Sequence, residues 1–356
     1  MGKKKRVTLP KNFEELINNG DIEGLKALYE KCELNASYDG RFGKNTALHH
    51  ANVPEELARW LVGEGLDVNV ENYYGRTPLY SHATLGRSSV KLFYDLGGDI
   101  EKTDRYGNTP LHTATSFFHS DTVRFLVEKG ANICVKNDMG QTPLASCLSV
   151  CGNSNIIEAA KIADIILQAG DKITPDMIKR VKHIGQNFEF HRENFHKDSI
   201  PETDSALKKL YTLFNVEPVK ERKIHDGISP IIVKDGSWEE QFEMLWDFLV
   251  PSRGPAKTLQ GEAIRISGRV HDELYRNGGV NWDRGYRNML IALLKFFASG
   301  NPLSEKELEE AERLVSDIRK KDSDEDFIIN RLCQLSVLWV LSNPDSIPLD
   351  KTNYTR

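Results

Sequence analysis

A chain of 356 residues is longer than one hydrophobic core ordinarily serves, and points to two domains or a repeat array plus a domain. Its 39% hydrophobic and 28% charged content excludes wholesale disorder, and a net charge of −5 excludes a global pull toward nucleic acid or anionic membrane. Five scattered cysteines (Cys32, Cys134, Cys147, Cys151, Cys333) read as reduced thiols of a cytoplasmic protein. No apolar run reaches the ~20 residues that span a bilayer. Residues 1–6, with Lys3-Lys4-Lys5-Arg6, lack the apolar stretch of a signal peptide and read as a flexible basic tail.

Four related tetrads follow: Thr46-Ala47-Leu48-His49, Thr77-Pro78-Leu79-Tyr80, Thr109-Pro110-Leu111-His112 and Thr142-Pro143-Leu144-Ala145. Their threonines are 31, 32 and 33 positions apart. Threonine caps a helix and proline fits its first position, where no backbone donor is missed. A glycine suited to a tight turn precedes each tetrad (Gly43, Gly75, Gly107, Gly140). The first repeat reads as one residue longer between glycine and threonine, and the last as carrying an insertion at residues 150–155. Residues 13–28 form a helix pair without the tetrad, polar enough to cap the array at its N-terminal end.

This pattern resembles the ankyrin-repeat family over residues 7–173, about five repeats with the cap included. The resemblance implies stacked helix pairs with β-hairpin tips, structural hydrogen bonds from His49 and His112, and partner binding through the tips and inner helices. The expected contacts to a protein partner are Phe42, Tyr73, Tyr74, Arg76, Arg105, Tyr106 and Met139, aromatic and arginine residues being enriched at binding hot spots.

Residues 174–236 read as a connector. Thr174 and Pro175 open one helix, residues 201–214 form another, and 215–236 are an irregular linker. His183, His191 and His196 lack the spacing of a zinc site, so no metal is expected. Residues 237–345 read as an α-helical domain, with helices opened by Ser237-Glu240 and Ser304-Glu307 capping boxes, one spanning about 258–277, one capped by Asn281, and a last at about 325–342. Residues 346–356 form a tail. The fold class is therefore all-α, a repeat solenoid followed by an α-helical bundle.

The helix at 258–277 carries two stripes. Leu259, Ala263, Ile266, Val270 and Leu274 are apolar; Glu262, Arg265, Arg269, Asp272, Glu273 and Arg276 are charged. The charged stripe reads as a solvated face laced by ion pairs. Alternatively, Glu262, Arg265, Arg269 and His271 form a catalytic set around an anionic substrate. Gly261 within the helix calls for close approach of another backbone or a ligand. The segment is similar to stretches of uncharacterised bacterial proteins, which attach no activity to it. Asp322, Asp324 and Asp326 begin like a calcium loop, but Phe327 and Cys333 stand where glycine and glutamate are required. No phosphate-binding or nucleophile motif is present, and no cofactor is expected. The expected function is a scaffold whose repeats bind a protein partner, with a helical docking or regulatory domain. The alternative is an ankyrin-targeted enzyme or effector.

Overall fold

The computed structural model describes residues 4–38, 43–87, 89–320, 325–352 and 354, without the side chains of 319–320 and 325–327. The chain forms two units: Met1–Asn187 with Lys197–Val219, and Phe188–His196 with Lys220–Arg356.

The first unit opens with strand β1 (Arg6–Thr8), helices α1 (Phe13–Asn19) and α2 (Ile22–Leu28), and strand β2 (Cys32–Ser37), which pairs with β1 in parallel. Gly20, in the left-handed region at φ 65°, separates the two helices. Arg6 therefore belongs to a strand, and Lys5 Nζ donates to the Tyr29 carbonyl at 2.8 Å. The expected flexible tail at 1–6 is corrected at these two positions, because the parallel pairing pins the entering chain; Met1 to Lys3 lie outside the described residues.

The repeats follow. The first has only a 3₁₀ turn (Ala47–His49) before α3 (Glu55–Gly63). His50 already turns extended, at ψ 129°, and Pro54 disfavours helical backbone at Val53 and lacks a donor of its own, so no helix here reaches the length seen in the later repeats. The next three are complete pairs: α4 (Pro78–Thr84) with α5 (Ser89–Asp95), α6 (Pro110–Ser116) with α7 (Ser120–Glu128), and α8 (Pro143–Val150) with α9 (Ile156–Gln168). Each threonine caps as its sequence predicts, accepting from the backbone of Tyr80, His112 or Ala145 at 3.2–3.3 Å. His49 and His112 each accept at Nδ1 from their own threonine backbone and donate from Nε2 to a carbonyl of the next repeat, Arg76 or Gln141, at 3.0 Å. The insertion lengthens α9 and adds a 3₁₀ turn, Asn153–Asn155. Helix α10 (Pro175–His191) follows, and α11 (Ile200–Phe214) packs on α9, with Lys209 Nζ 2.7 Å from Asp164.

In the second unit α12 (Trp238–Leu249), α14 (Arg284–Phe297) and α16 (Glu325–Ser342) pack around α13 (Leu259–His271), and α15 (Glu305–Lys320) packs on α14 and α16. Both capping boxes form, with Ser237 and Glu240 exchanging bonds at 3.0 and 3.3 Å and Ser304 and Glu307 at 2.9 and 3.4 Å. Three expectations are corrected. The long helix ends in α geometry at His271 and closes with a π turn, Asp272–Arg276. Asp283, not Asn281, caps α14, its Oδ1 accepting from Gly285 N and Tyr286 N at 2.8 and 3.3 Å, while the backbone and side-chain N–H groups of Asn281 are turned to Glu273. Within the expected linker 215–236, residues 220–236 are fastened to the helices: Arg222 donates to the carbonyls of Trp246, Asp247 and Val250 at 2.6–2.9 Å and stacks on Phe190, 4.2 Å from the ring centre. One arginine thus closes the C-terminal end of α12, where free carbonyls need donors. Asp322 and Asp324 lie outside the described residues.

Candidate protein-binding surface

The tips of the three later repeats are each organised by one buried polar side chain. Asn72 Oδ1 accepts the backbone N–H groups of Tyr74 and Arg76, at 2.9 and 3.1 Å. Asp104 does the same for Tyr106 and Asn108, and Asn137 for Met139 and Gln141, all within 3.1 Å. Successive tips are joined by backbone bonds from Tyr73 to the Gly43 carbonyl, Arg105 to Tyr74 and Asp138 to Tyr106, at 2.8–3.0 Å.

These bonds fix the register. Gly43, Tyr74 and Tyr106 are equivalent, and Lys44, at φ 55°, takes the left-handed position that Gly75, Gly107 and Gly140 occupy elsewhere. The first repeat is therefore not lengthened between its turn and Thr46; its glycine is displaced by one position. Phe42 lies outside the described residues, and the position matching Tyr74 is a glycine.

With the backbone held from inside, the tip side chains stand outward. Tyr73, Tyr74, Arg105, Tyr106 and Met139 are all exposed. The rings of Tyr73 and Tyr74 meet edge to face, 5.4 Å apart at 88°. The Arg105 guanidinium lies 4.5 Å from the centre of Tyr73, and that of Arg76 5.4 Å from Tyr74. The structure thus gathers Tyr73, Tyr74, Arg76 and Arg105 into one cluster, and Tyr106 and Met139 continue it on the next two tips. Arg76 also anchors inward, its Nε 3.8 Å from buried Asp104, which accepts the Tyr80 hydroxyl at 2.8 Å. Burial, and then Asp104, push the Tyr80 hydroxyl above its ordinary pKa, so it remains a donor. Aromatic rings interleaved with guanidinium groups are a surface suited to apolar and acidic side chains.

A second column was not anticipated. Leu85, Phe117 and Val150 each lie eight residues after a tetrad threonine and are 43%, 58% and 53% exposed. The signal in the sequence was the period itself, read at that offset.

The set Glu262, Arg265, Arg269 and His271 is distributed differently from the expected charged face. Glu262 and Arg265 are 0% and 1% exposed, because α13 has neighbours on every side. Glu262 Oε2 accepts from Ala256 N and Arg265 Nε, both at 2.8 Å; Oε1 accepts from Arg265 Nη2 at 2.6 Å and the Tyr354 hydroxyl at 2.7 Å. Burial and then Glu262 raise the Tyr354 hydroxyl above its ordinary pKa. Arg265 Nη1 has no hydrogen-bond partner among the described residues. His271 stacks on Tyr275 with ring centres 5.4 Å apart, and Arg269 is half-buried. The solvated-face reading is corrected for Glu262, Arg265 and also Glu273, which is buried against Asn277, Asn281 and Tyr286. Asp272 and Arg276 form an exposed pair as that reading expects, at 3.5 Å.

Gly261 is accounted for by close approach of two neighbouring residues: a Cβ there would lie 2.8 Å from Ala256 Cβ and 3.1 Å from the Leu249 carbonyl. Gly261→Ala is expected to lower stability by about 1–3 kcal/mol by overpacking, reversing the gain of about 1 kcal/mol such a change gives in an open helix. Urea titration followed by tryptophan fluorescence reads the difference, and an unchanged or higher midpoint would show that α13 can move away from Leu249.

Among the described residues no helix is long and apolar enough to cross a membrane. No group of three or more His, Cys, Asp or Glu there is placed to hold a metal ion. A family model described as Ankyrin repeats (3 copies) matches residues 14–104 and 83–169. No curated protein matches the chain.

Proposed function

Because residues 14–169 belong to the ankyrin-repeat family, we propose that this chain is a scaffold whose repeats capture a protein partner through the tip cluster of Tyr73, Tyr74, Arg76 and Arg105 and its continuation at Tyr106 and Met139. The observation that carries the reading is the ordered, exposed cluster of rings and guanidinium groups on a backbone fixed by Asn72, Asp104 and Asn137. Large side chains exposed in one column bury much area on docking and lose little entropy. The second unit is read as a docking or regulatory module. In support, Ile228, Ile232 and Val280 stand more exposed than any other large apolar residue described.

The test is affinity capture with the full chain and with its Tyr74→Ala/Tyr106→Ala variant. Both hydroxyphenyl groups project into water, so Tm is expected to stay within a degree or two. Affinity for the captured partner is expected to fall by about thirtyfold or more, the size of a hot-spot loss. A large drop in Tm with intact capture would show that the rings serve packing, and would remove the reading.

A further inference from the structure

The exposed column at the far end of the inner helices has a consistent chemistry. Leu85, Phe117 and Val150 project from equivalent positions in three successive repeats. The stretches that carry them, 78–90, 110–120 and 143–156, contain no aspartate or glutamate, while Arg87 and His119 lie on them. Of the nearest carboxylates in those repeats, Asp121 opens an outer helix, and Glu158 is already held by Lys161 and the Ser120 hydroxyl at 2.6 Å. Beyond Val150 the column runs into a groove of about 480 Å³ formed by the 150–155 insertion and α10. Buried Leu148 and Ile184 form its floor, and Lys179, Arg180 and His183 stand on its α10 side. The one carboxylate on that wall, Asp176, is paired with Arg180 at 2.6 Å. Exposed Lys179 and His183 have no carboxylate partner among the described residues.

We propose that this column and groove dock an acidic peptide with apolar anchors, its large side chains on Leu85, Phe117 and Val150 and a carboxylate opposite Lys179 and His183. The inference rests on the repeats being a binding surface and names the class of partner. An apolar ridge alone would accept any greasy segment. A ridge without carboxylates, ending at the unneutralised Lys179 ammonium beside the His183 ring, rejects basic partners and steers acidic ones, since like charges brought together cost several-fold to many-fold in affinity. The groove's first wall is the insertion in the last repeat.

The experiment uses fluorescently labelled synthetic peptides with the full-length protein, read by anisotropy. One peptide alternates Leu/Phe with Asp/Glu; a second replaces the acids with Asn/Gln; a third replaces them with Lys. The acidic peptide is expected to bind best, about tenfold more tightly than the amide version, and to weaken as salt rises. Phe117→Ser, and Lys179→Glu/His183→Glu, are each expected to weaken it by about tenfold or more. These residues are exposed, and circular dichroism checks that the variants remain folded. Equal binding of the three peptides, preference for the lysine peptide, or indifference to charge reversal at 179 and 183 would overturn the acidic-peptide assignment. Self-association abolished by Phe117→Ser, with no peptide bound, would give the face to a second copy and also overturn it. None of these outcomes depends on Tyr74 or Tyr106, so the tip reading stands or fails separately.

Discussion

Arg265→Met is expected to lower the unfolding free energy of the helical unit by about 3–5 kcal/mol, the cost of leaving a buried charge without its partner. The guanidinium supplies two of the four hydrogen bonds that satisfy Glu262, at 2.8 and 2.6 Å, and both side chains are closed off from water. Without Arg265, Glu262 keeps only the Ala256 N–H and the Tyr354 hydroxyl. It must then stay charged in an apolar surrounding or take up a proton, and either response costs stability.

The double variant Glu262→Leu/Arg265→Met separates the pair's net worth from the cost of breaking it. Removing both charges while keeping volume is often neutral or stabilising, so the double variant is expected to recover most of the single variant's loss. Urea unfolding reports this through tryptophan, since Trp238, Trp246, Trp282 and Trp339 belong to this unit and only Trp60 to the other. A loss below about 1 kcal/mol for Arg265→Met would place the pair within the range of solvent-exposed bridges and contradict its burial. The same bonds bear on the chain's end, because Tyr354 is tied to Glu262 while Ile347 and Leu349 are tied to Gln260, Leu259 and Lys257. Of residues 346–356, expected as a tail, Ile347 and Leu349 are therefore fastened beside the start of α13, and Tyr354 closes over the ion pair itself.

What could be read from the sequence was what neighbours along the chain decide. The tetrad threonines and the two capping boxes follow from side chains within four residues of each other, and each stands where expected. The outward residues Tyr73, Tyr74, Arg105, Tyr106 and Met139 were legible by position, because a turn shows them whatever lies behind it, whereas at the first tip the displaced glycine hid the register. Burial of Glu262 and Arg265 was not legible. A polar stripe at three- and four-residue steps looks the same facing water or facing α12, α14 and α16, and only tertiary packing distinguishes them. The choice of Asp283 over Asn281 as a cap was hidden likewise, since Glu273 claims Asn281 from eight residues away. Lys44 shows the converse: a glycine marks a turn by propensity, but the inter-repeat bond at Gly43 forces the left-handed backbone onto the lysine beside it.

The repeat unit is expected to lose stability on mild acidification, before its carboxylates titrate, because of His82. Its ring is completely buried, with Nε2 donating to the Leu48 carbonyl at 3.0 Å and Nδ1 accepting from the Ser89 hydroxyl at 2.6 Å, an arrangement that needs the neutral imidazole. Burial lowers its pKa from 6.5 to about 4, with the bond to Leu48 opposing and the nearby His49, Arg87 and His50 assisting. Above pH 6.5 the ring is neutral folded or unfolded and contributes no pH dependence. Between about 6.5 and 4 the unfolded chain binds a proton that the folded chain refuses, so stability falls as pH falls. The loss reaches about 3 kcal/mol once pH is below the folded value. His112 and His50, also lowered chiefly by burial, act in the same direction. Glu158 contributes only later: burial raises its pKa, but the bonds from Lys161 and Ser120 outweigh it and hold the group below 4.5. Melting the protein at pH steps from 7.5 to 4.5 (about one midpoint per half unit) therefore reads chiefly the histidines, with Asp171, raised by burial, opposing them toward the acid end. His82→Asn is expected to be less stable at neutral pH and to show a flatter slope across that range. An unchanged slope would mean that the ring is charged in the folded repeat, which the Leu48 and Ser89 bonds do not permit without rearrangement.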